Sequence, residues 1–212
     1  MPRLLVLFST TDGHTRKVAW ALADAIESAG CTVDVLDARL SGRTIGAEPY
    51  TGVIVAASLH SRGYQREVYK WVRRNAIALS RRPTAFVSVC LGILEKDPAT
   101  RHDLDTIVKL FQWKSGWCPD AVKIVAGALP YTRYGWFKKR MMKRIAAKAG
   151  GDTDTSRDFD YTDWHALRVF GQEFVWTHGL ARVPLPVTAP RAPKQPVVSP
   201  PPAEVALVGA AN

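Results

Sequence analysis

The chain has 212 residues, 47% of them hydrophobic, which fits a globular protein with one domain-sized core. No stretch approaches the roughly 18 consecutive apolar residues of a membrane span, no export signal is evident, and three widely spaced cysteines (Cys31, Cys90, Cys118) suit reduced thiols better than a disulfide framework or a zinc site. A formal charge of +10 points to an anionic partner: nucleic acid, anionic lipid or an acidic substrate.

Residues 3–8 (R-L-L-V-L-F) are a short apolar run of the kind a buried parallel strand needs, and the polar loop after them opens a helix. Val18, Leu22, Ala25, Ile26 and Ala29 recur at helical spacing, and Gly30 marks the stop. Further strands are expected at 32–36, 52–57 and 84–91, the last two separated by a helix with Val68, Trp71, Val72 and Leu79 along one side. A helix within 98–111, a strand at 122–129, a basic helix at about 134–149 and a final helix at about 162–178 complete the series. Thr162 is the expected N-cap of that last helix, and Trp164, Leu167, Phe170, Phe174 and Val175 form its core stripe. Strands alternating with helices predict an α/β fold, a doubly wound five-stranded parallel sheet between helical layers, with the basic helix inserted near the last strand. Residues 181–212 hold eight prolines and no aromatic residue, so they are expected to be a disordered tail beyond a domain at 1–180.

Ser9-Thr10-Thr11-Asp12-Gly13-His14-Thr15 lies between the first strand and the first helix. Hydroxyls and free backbone N–H groups at a helix N-terminus make a phosphate site, and Gly13 lets the backbone come close. The loop has neither the G-x-G-x-x-G spacing of dinucleotide sites nor the G-x-x-x-x-G-K spacing of P-loops, so a monophosphate fits it better. A plain turn whose Ser, Thr and Asp merely cap the helix is the competing reading.

With its neighbours, this loop resembles the flavodoxin phosphate loop, whose pattern is close to T-x-T-G-x-T. It departs at Asp12, whose carboxylate would be repelled by a phosphate unless it points away. The resemblance implies a flavodoxin-like three-layer fold holding FMN. Ser9, Thr10, Thr11, Asp12, Gly13, His14 and Thr15 would serve the phosphate, and Ser58, Leu59, His60 and Tyr64 with Ser88, Val89, Cys90, Leu91 and Gly92 would serve the ring at the C-terminal ends of parallel strands. More narrowly, the chain is similar to the menaquinone-dependent protoporphyrinogen oxidase family, which carries S-T-x-D-G-x-T in this loop. Further matches are Trp117-x-Pro119-Asp120, Ala126-Gly127-Ala128-Leu129-x-Tyr131-x-Arg133-Tyr134-x-Trp136, Gly150-Gly151-x-Thr153-Asp154-Thr155 and Tyr161-Thr162-Asp163-Trp164. That resemblance implies FMN-dependent oxidation of protoporphyrinogen IX to protoporphyrin IX in haem biosynthesis. The electron acceptor would be a membrane quinone (menaquinone or ubiquinone), and the protein would be cytoplasmic and peripheral on the inner face of the cell membrane. The alternatives are a flavodoxin-like electron carrier, typically acidic where this chain is basic, an NAD(P)H-quinone reductase, and a flavodoxin fold that has lost FMN.

Residues 121–151 contain no acid and eight bases: Lys123, Arg133, Lys138, Lys139, Arg140, Lys143, Arg144 and Lys148. Tyr134, Phe137, Met141 and Ile145 fall on one helical side with Trp136 and Met142 beside it, a pattern suited either to an anionic membrane surface or to a core helix with a basic outer face. The family resemblance favours a membrane or substrate role, with Trp136, Lys138, Lys139, Lys143 and Arg144 at the lipid. No nucleic-acid module accompanies the charge. Arg62, Lys96 and Arg133 are candidates to pair with porphyrinogen propionates. The five histidines show no metal-ligand spacing, so no metal is expected, and His14 is expected to be a loop residue near the phosphate. Trp113 and Trp117 are expected in the core, and Cys90 as a small buried hydrophobe beside the ring site.

Overall fold

A computed structural model describes residues 1–60, 63–95 and 97–181; residues 182–212 of the expected tail, Arg62 and Lys96 lie outside the described residues. Five parallel strands, β1 (Arg3–Ser9), β2 (Thr32–Asp37), β3 (Gly52–Ser58), β4 (Thr84–Cys90) and β5 (Ala121–Ala126), form one sheet in the order β2-β1-β3-β4-β5. Chain order reverses between β1 and β3, and the doubly wound rule places a ligand crevice at the carboxyl ends of those strands. Strands β3 and β4 are buried along their whole length, as expected of a sheet covered on both faces.

Residue alternation along each strand assigns the two cores. Leu4, Val6 and Phe8 face α1 (His14–Ser28) and α5 (Trp164–Thr177), where they meet Val18, Leu22, Ile26, Leu167 and Phe174. Leu5 and Leu7 face the other way, towards α2 (Arg66–Leu79) and α3 (Pro98–Ser115), and pack with Trp71, Val72, Val108 and Phe111. The two outer helices of the first face approach closely: a Cβ on Gly171 would lie 3.4 Å from Ala25 Cβ and Leu22 Cδ2.

The segment between β2 and β3, for which no helix is expected, has none and packs across the middle of α2, where the Asn75 side chain accepts from Ala47 N–H at 2.9 Å and Trp71 Nε1 donates to Ile45 O at 2.8 Å. Several expectations are corrected further along the chain. The strand expected at 122–129 is broken at Gly127. After β5, a short β6 (Ala128–Leu129) pairs antiparallel with β7 (Phe159–Asp160) instead of extending the sheet. Between them lies the insertion carrying α4 (Trp136–Ala149), with its own core of Leu129, Tyr131, Tyr134 and Ala146. Helix α3 runs on to Ser115, where Gly116 closes it at φ 68°. The N-cap of α5 is Asp163, whose carboxylate accepts from Ala166 N–H at 2.9 Å, because the Thr162 hydroxyl is used elsewhere. Trp117 is buried in the second core, but Trp113 is 78% exposed on the outer side of α3.

Candidate functional site

Strand β1 ends at Ser9, and four residues carry the chain over to α1. Thr10 Oγ1 accepts from Gly13 N–H at 2.9 Å, and Gly13 takes φ 90°, a left-handed conformation without steric cost for glycine alone. No side chain caps α1, so the N–H groups of its first turn are left for another acceptor. Ser9 Oγ and Thr15 Oγ1 are buried and have no hydrogen-bond partner, their residues being 0% and 1% exposed. A capping turn would spend such hydroxyls on the helix. Left unpaired, each costs on the order of 1–3 kcal/mol, which a bound anion would relieve. The donor set, orphaned hydroxyls, free helix N–H groups and a glycine with no Cβ, fits a phosphate monoester.

Asp12 does not oppose such an anion. Its carboxylate turns to the insertion, with Oδ1 at 2.5 Å from Lys138 Nζ and Oδ2 accepting from Tyr134 OH at 3.2 Å. The Lys138 ammonium also lies 4.3 Å from the Tyr134 ring centroid. Burial, reinforced by Asp12, pushes the Tyr134 phenol above its ordinary range, so it remains a donor. Arg133, grouped with the substrate by the sequence, stands at this loop: its Nη1 is 3.9 Å from where a Gly13 Cβ would sit.

The ends of β3 and β4 join the loop through side chains. Gln65 Nε2 donates to Ser58 Oγ at 2.6 Å and reaches Thr11 Oγ1 at 3.3 Å, while its Oε1 is buried without a partner. Ser58 Oγ also lies 3.1 Å from His60 Nε2, and Leu59 N–H donates to Val89 O at 2.8 Å. Residues His60 and Gly63 exchange backbone hydrogen bonds and so close the loop after β3. Val89 and Cys90 are buried, Gly92 opens a short 3-10 turn, and Leu91 packs against the insertion's core. Tyr64 lies deeper than a ring-stacking residue would: its hydroxyl is 2.9 Å from Ser88 Oγ and its ring meets Phe86 and Phe111 edge-on. Burial pushes the Cys90 thiol up to about 11 and keeps it a thiol at neutral pH.

His14 is the first residue of α1 rather than a loop residue, and its ring packs edge-on to Trp164. Its Nε2 lies 2.6 Å from Thr162 Oγ1. Since that hydroxyl donates its one proton to Ala126 O at 2.8 Å, the histidine must be the donor, with Nε2 protonated. Burial lowers the His14 pKa despite Asp160 at 3.8 Å. At the loop, His14 therefore offers its backbone N–H.

On α4 the side formed by Phe137, Met141 and Ile145 is exposed, at 76%, 45% and 44%, and Trp136 is 77% exposed. The helix docks through Ala146 and Met142 instead. Lys138, expected at lipid, is tied to Asp12, whereas Arg140, Lys143 and Arg144 are exposed. Among the described residues no helix is long and apolar enough to cross a membrane. Gln65, Tyr134 and Thr162 were not read as site residues; Tyr134 and Thr162 each carried a signal, their places in family motifs, and Gln65 carried none.

Residues 5–156 match the flavodoxin domain family. The structure is similar to oxidised flavodoxin 1 of Bacillus cereus, with a TM-score of 0.50 at 15% identity over 82% of this chain and 97% of that one. In sequence it is 34% identical over 171 residues to a protein of Escherichia coli K12 named protoporphyrinogen IX dehydrogenase (quinone), covering 81% of this chain and 93% of the relative. A Leishmania major protein of the same name is 33% identical over 206 residues, covering 94% of this chain and 83% of the relative. With the strand order and the open phosphate loop, these matches show that the chain belongs to the flavodoxin-domain protoporphyrinogen IX dehydrogenase (quinone) family.

Proposed function

We propose that this chain holds FMN at the carboxyl ends of β1, β3 and β4, oxidises protoporphyrinogen IX to protoporphyrin IX, and passes the electrons to a membrane quinone. The observation that carries the reading is the pair of buried, unpartnered hydroxyls of Ser9 and Thr15 at an uncapped helix N-terminus. FMN, when bound, supplies two-electron redox chemistry between an organic hydrogen donor and a quinone.

The chain's own residues do the rest. Ser9, Thr15 and the first-turn N–H groups of α1 bind the phosphate, and Arg133 adds a positive charge beside Gly13. Lys138 and Tyr134 hold the Asp12 carboxylate away from it. Gln65 ties the first loop to the end of β3, fixing the spacing between phosphate and ring sites. At these strand ends Cys90 stays protonated and burial keeps the Tyr64 phenol well above its usual range, while the His60 imidazole, its pKa lowered by burial, is neutral and within hydrogen-bond reach of Ser58. The contribution there is position and a low dielectric. Protoporphyrinogen loses its hydrogens in repeated two-electron rounds, with one quinone reduced to quinol in each.

Membrane docking through α4 belongs to the same proposal. Exposed Trp136, Phe137, Met141 and Ile145 beside Lys139, Arg140, Lys143 and Arg144 suit an anionic leaflet, where quinone is dissolved. The test is anaerobic: FMN-loaded protein, protoporphyrinogen IX and a menaquinone analogue yield fluorescent porphyrin at a rate proportional to enzyme. Porphyrin formation no faster than in an enzyme-free control overturns the proposal.

A further inference from the structure

The described residues include one large cavity away from the phosphate loop, a groove of about 460 Å³ between α2 and α3. That volume lies in the range of roughly 300–1,000 Å³ typical of small-molecule sites. Its floor is apolar: Tyr64, Ile107, Leu110 and Phe111, with Leu110 42% exposed to the open side. Its walls are basic. Arg66, Lys70 and Arg73 rise from α2 and Lys114 from α3, and no acidic side chain is among the described residues that line it. None of these four cations makes an ion pair with a described residue, although the Arg73 guanidinium lies 5.8 Å from the Tyr69 ring centroid. Tyr69 OH donates to Lys114 O and ties the two walls together.

The groove also reaches the redox end of the sheet. Gly63 and Tyr64 line its upper end, and both belong to the loop after β3, where Tyr64 is anchored to Ser88 on β4. An apolar floor, cations on both walls and an opening beside the ring site together select a bulky apolar molecule that carries carboxylates on its edge. Surplus positive charge without carboxylate partners is a cost to the free protein that such a ligand removes.

We infer that the α2/α3 groove is the tetrapyrrole site, with Arg66, Lys70, Arg73 and Lys114 receiving the propionate carboxylates and the apolar floor receiving the macrocycle. This rests on the proposed function for the identity of the ligand. It separates the two substrates in space: porphyrinogen enters on the α2/α3 side, and quinone on the side of the insertion.

The experiment titrates full-length, FMN-loaded protein with protoporphyrin IX, the stable oxidised form, and follows quenching of tryptophan fluorescence. The quadruple variant Arg66→Glu, Lys70→Glu, Arg73→Glu, Lys114→Glu is expected to weaken binding by about tenfold or more, because charge-assisted contacts to carboxylates become repulsive. Its FMN content should equal that of the parent, which shows that it is folded. The parent is expected to bind protoporphyrin IX dimethyl ester less tightly than the free acid, and the α4 variant Lys139→Glu, Lys143→Glu, Arg144→Glu to bind the free acid like the parent. Unchanged binding by the groove variant overturns the assignment, as does equal loss in the α4 variant. If the parent fails to oxidise porphyrinogen but the groove variant still loses porphyrin binding, the enzymatic proposal falls and the groove assignment stands.

Discussion

Thr15 sits in the first turn of α1, 1% exposed, with its hydroxyl buried and bonded to nothing in the protein. Replacing it with valine keeps the branched shape and removes only the hydroxyl. In the flavin-free protein that deletion takes away an unsatisfied polar group, whose burial costs on the order of 1–3 kcal/mol. The flavin-free variant is therefore expected to be at least as stable as the parent, and about 1 kcal/mol of gain would raise Tm by roughly 2–4 °C in a domain of this size. In the holoprotein the same change removes a donor to a charged phosphate, worth about 1.5–3 kcal/mol, so FMN should bind roughly 10- to 150-fold more weakly. Flavin-free protein, prepared by stripping the cofactor, is measured by thermal unfolding and by flavin titration. A destabilised flavin-free variant with undiminished FMN affinity would refute the cradle and restore the plain capped turn.

Lys138→Met should weaken FMN binding about three- to tenfold by leaving the Asp12 carboxylate without its counter-charge near the phosphate, and adding Asp12→Asn should restore it; a double variant as weak as the single would contradict the pairing. Burial holds His14 and His60 below the ordinary 6.5. As pH falls through about 6.5 the unfolded chain takes up protons that the folded chain refuses, so stability is complete above that range and declines below it. Tm should accordingly drop between about pH 7 and 5.5, less steeply in a His14→Asn variant, and parallel profiles would refute this role for His14. Reversing Lys139, Lys143 and Arg144 should lower cosedimentation with anionic vesicles by about tenfold or more at unchanged flavin content, since each base near the surface is worth about 1 kcal/mol. Vesicle binding equal to the parent's would remove α4 from the membrane.

The sheet was legible because buried parallel strands leave uninterrupted apolar runs, as at Arg3–Ser9 and Gly52–Ser58, and because Gly30 stops the first helix by a local rule. Local rules failed where a distant partner decides. Residues 122–129 are apolar enough to be one strand, and only pairing with Phe159–Asp160 breaks them at Gly127. Thr162 and Asp163 are equally good caps in isolation; the Ala126 carbonyl and His14 claim the threonine, which leaves the aspartate to the helix. The orientation of α4 was hidden for the same reason. Its sequence carries apolar residues on more than one side, and the side that docks is the one that brings Ala146 and Met142 into the cluster of Leu129, Tyr131 and Tyr134. At the loop, the sequence identified Asp12 as a problem for an anion, and the solution came from Lys138 and Tyr134 of the insertion, more than 120 residues away in the chain.

The most direct test of the account follows the yellow colour of the FMN-loaded protein without oxygen. Protoporphyrinogen IX should bleach it, a menaquinone analogue should then restore it, and NADH or NADPH should do nothing. Bleaching by a nicotinamide cofactor, or a colour indifferent to protoporphyrinogen, would contradict the account.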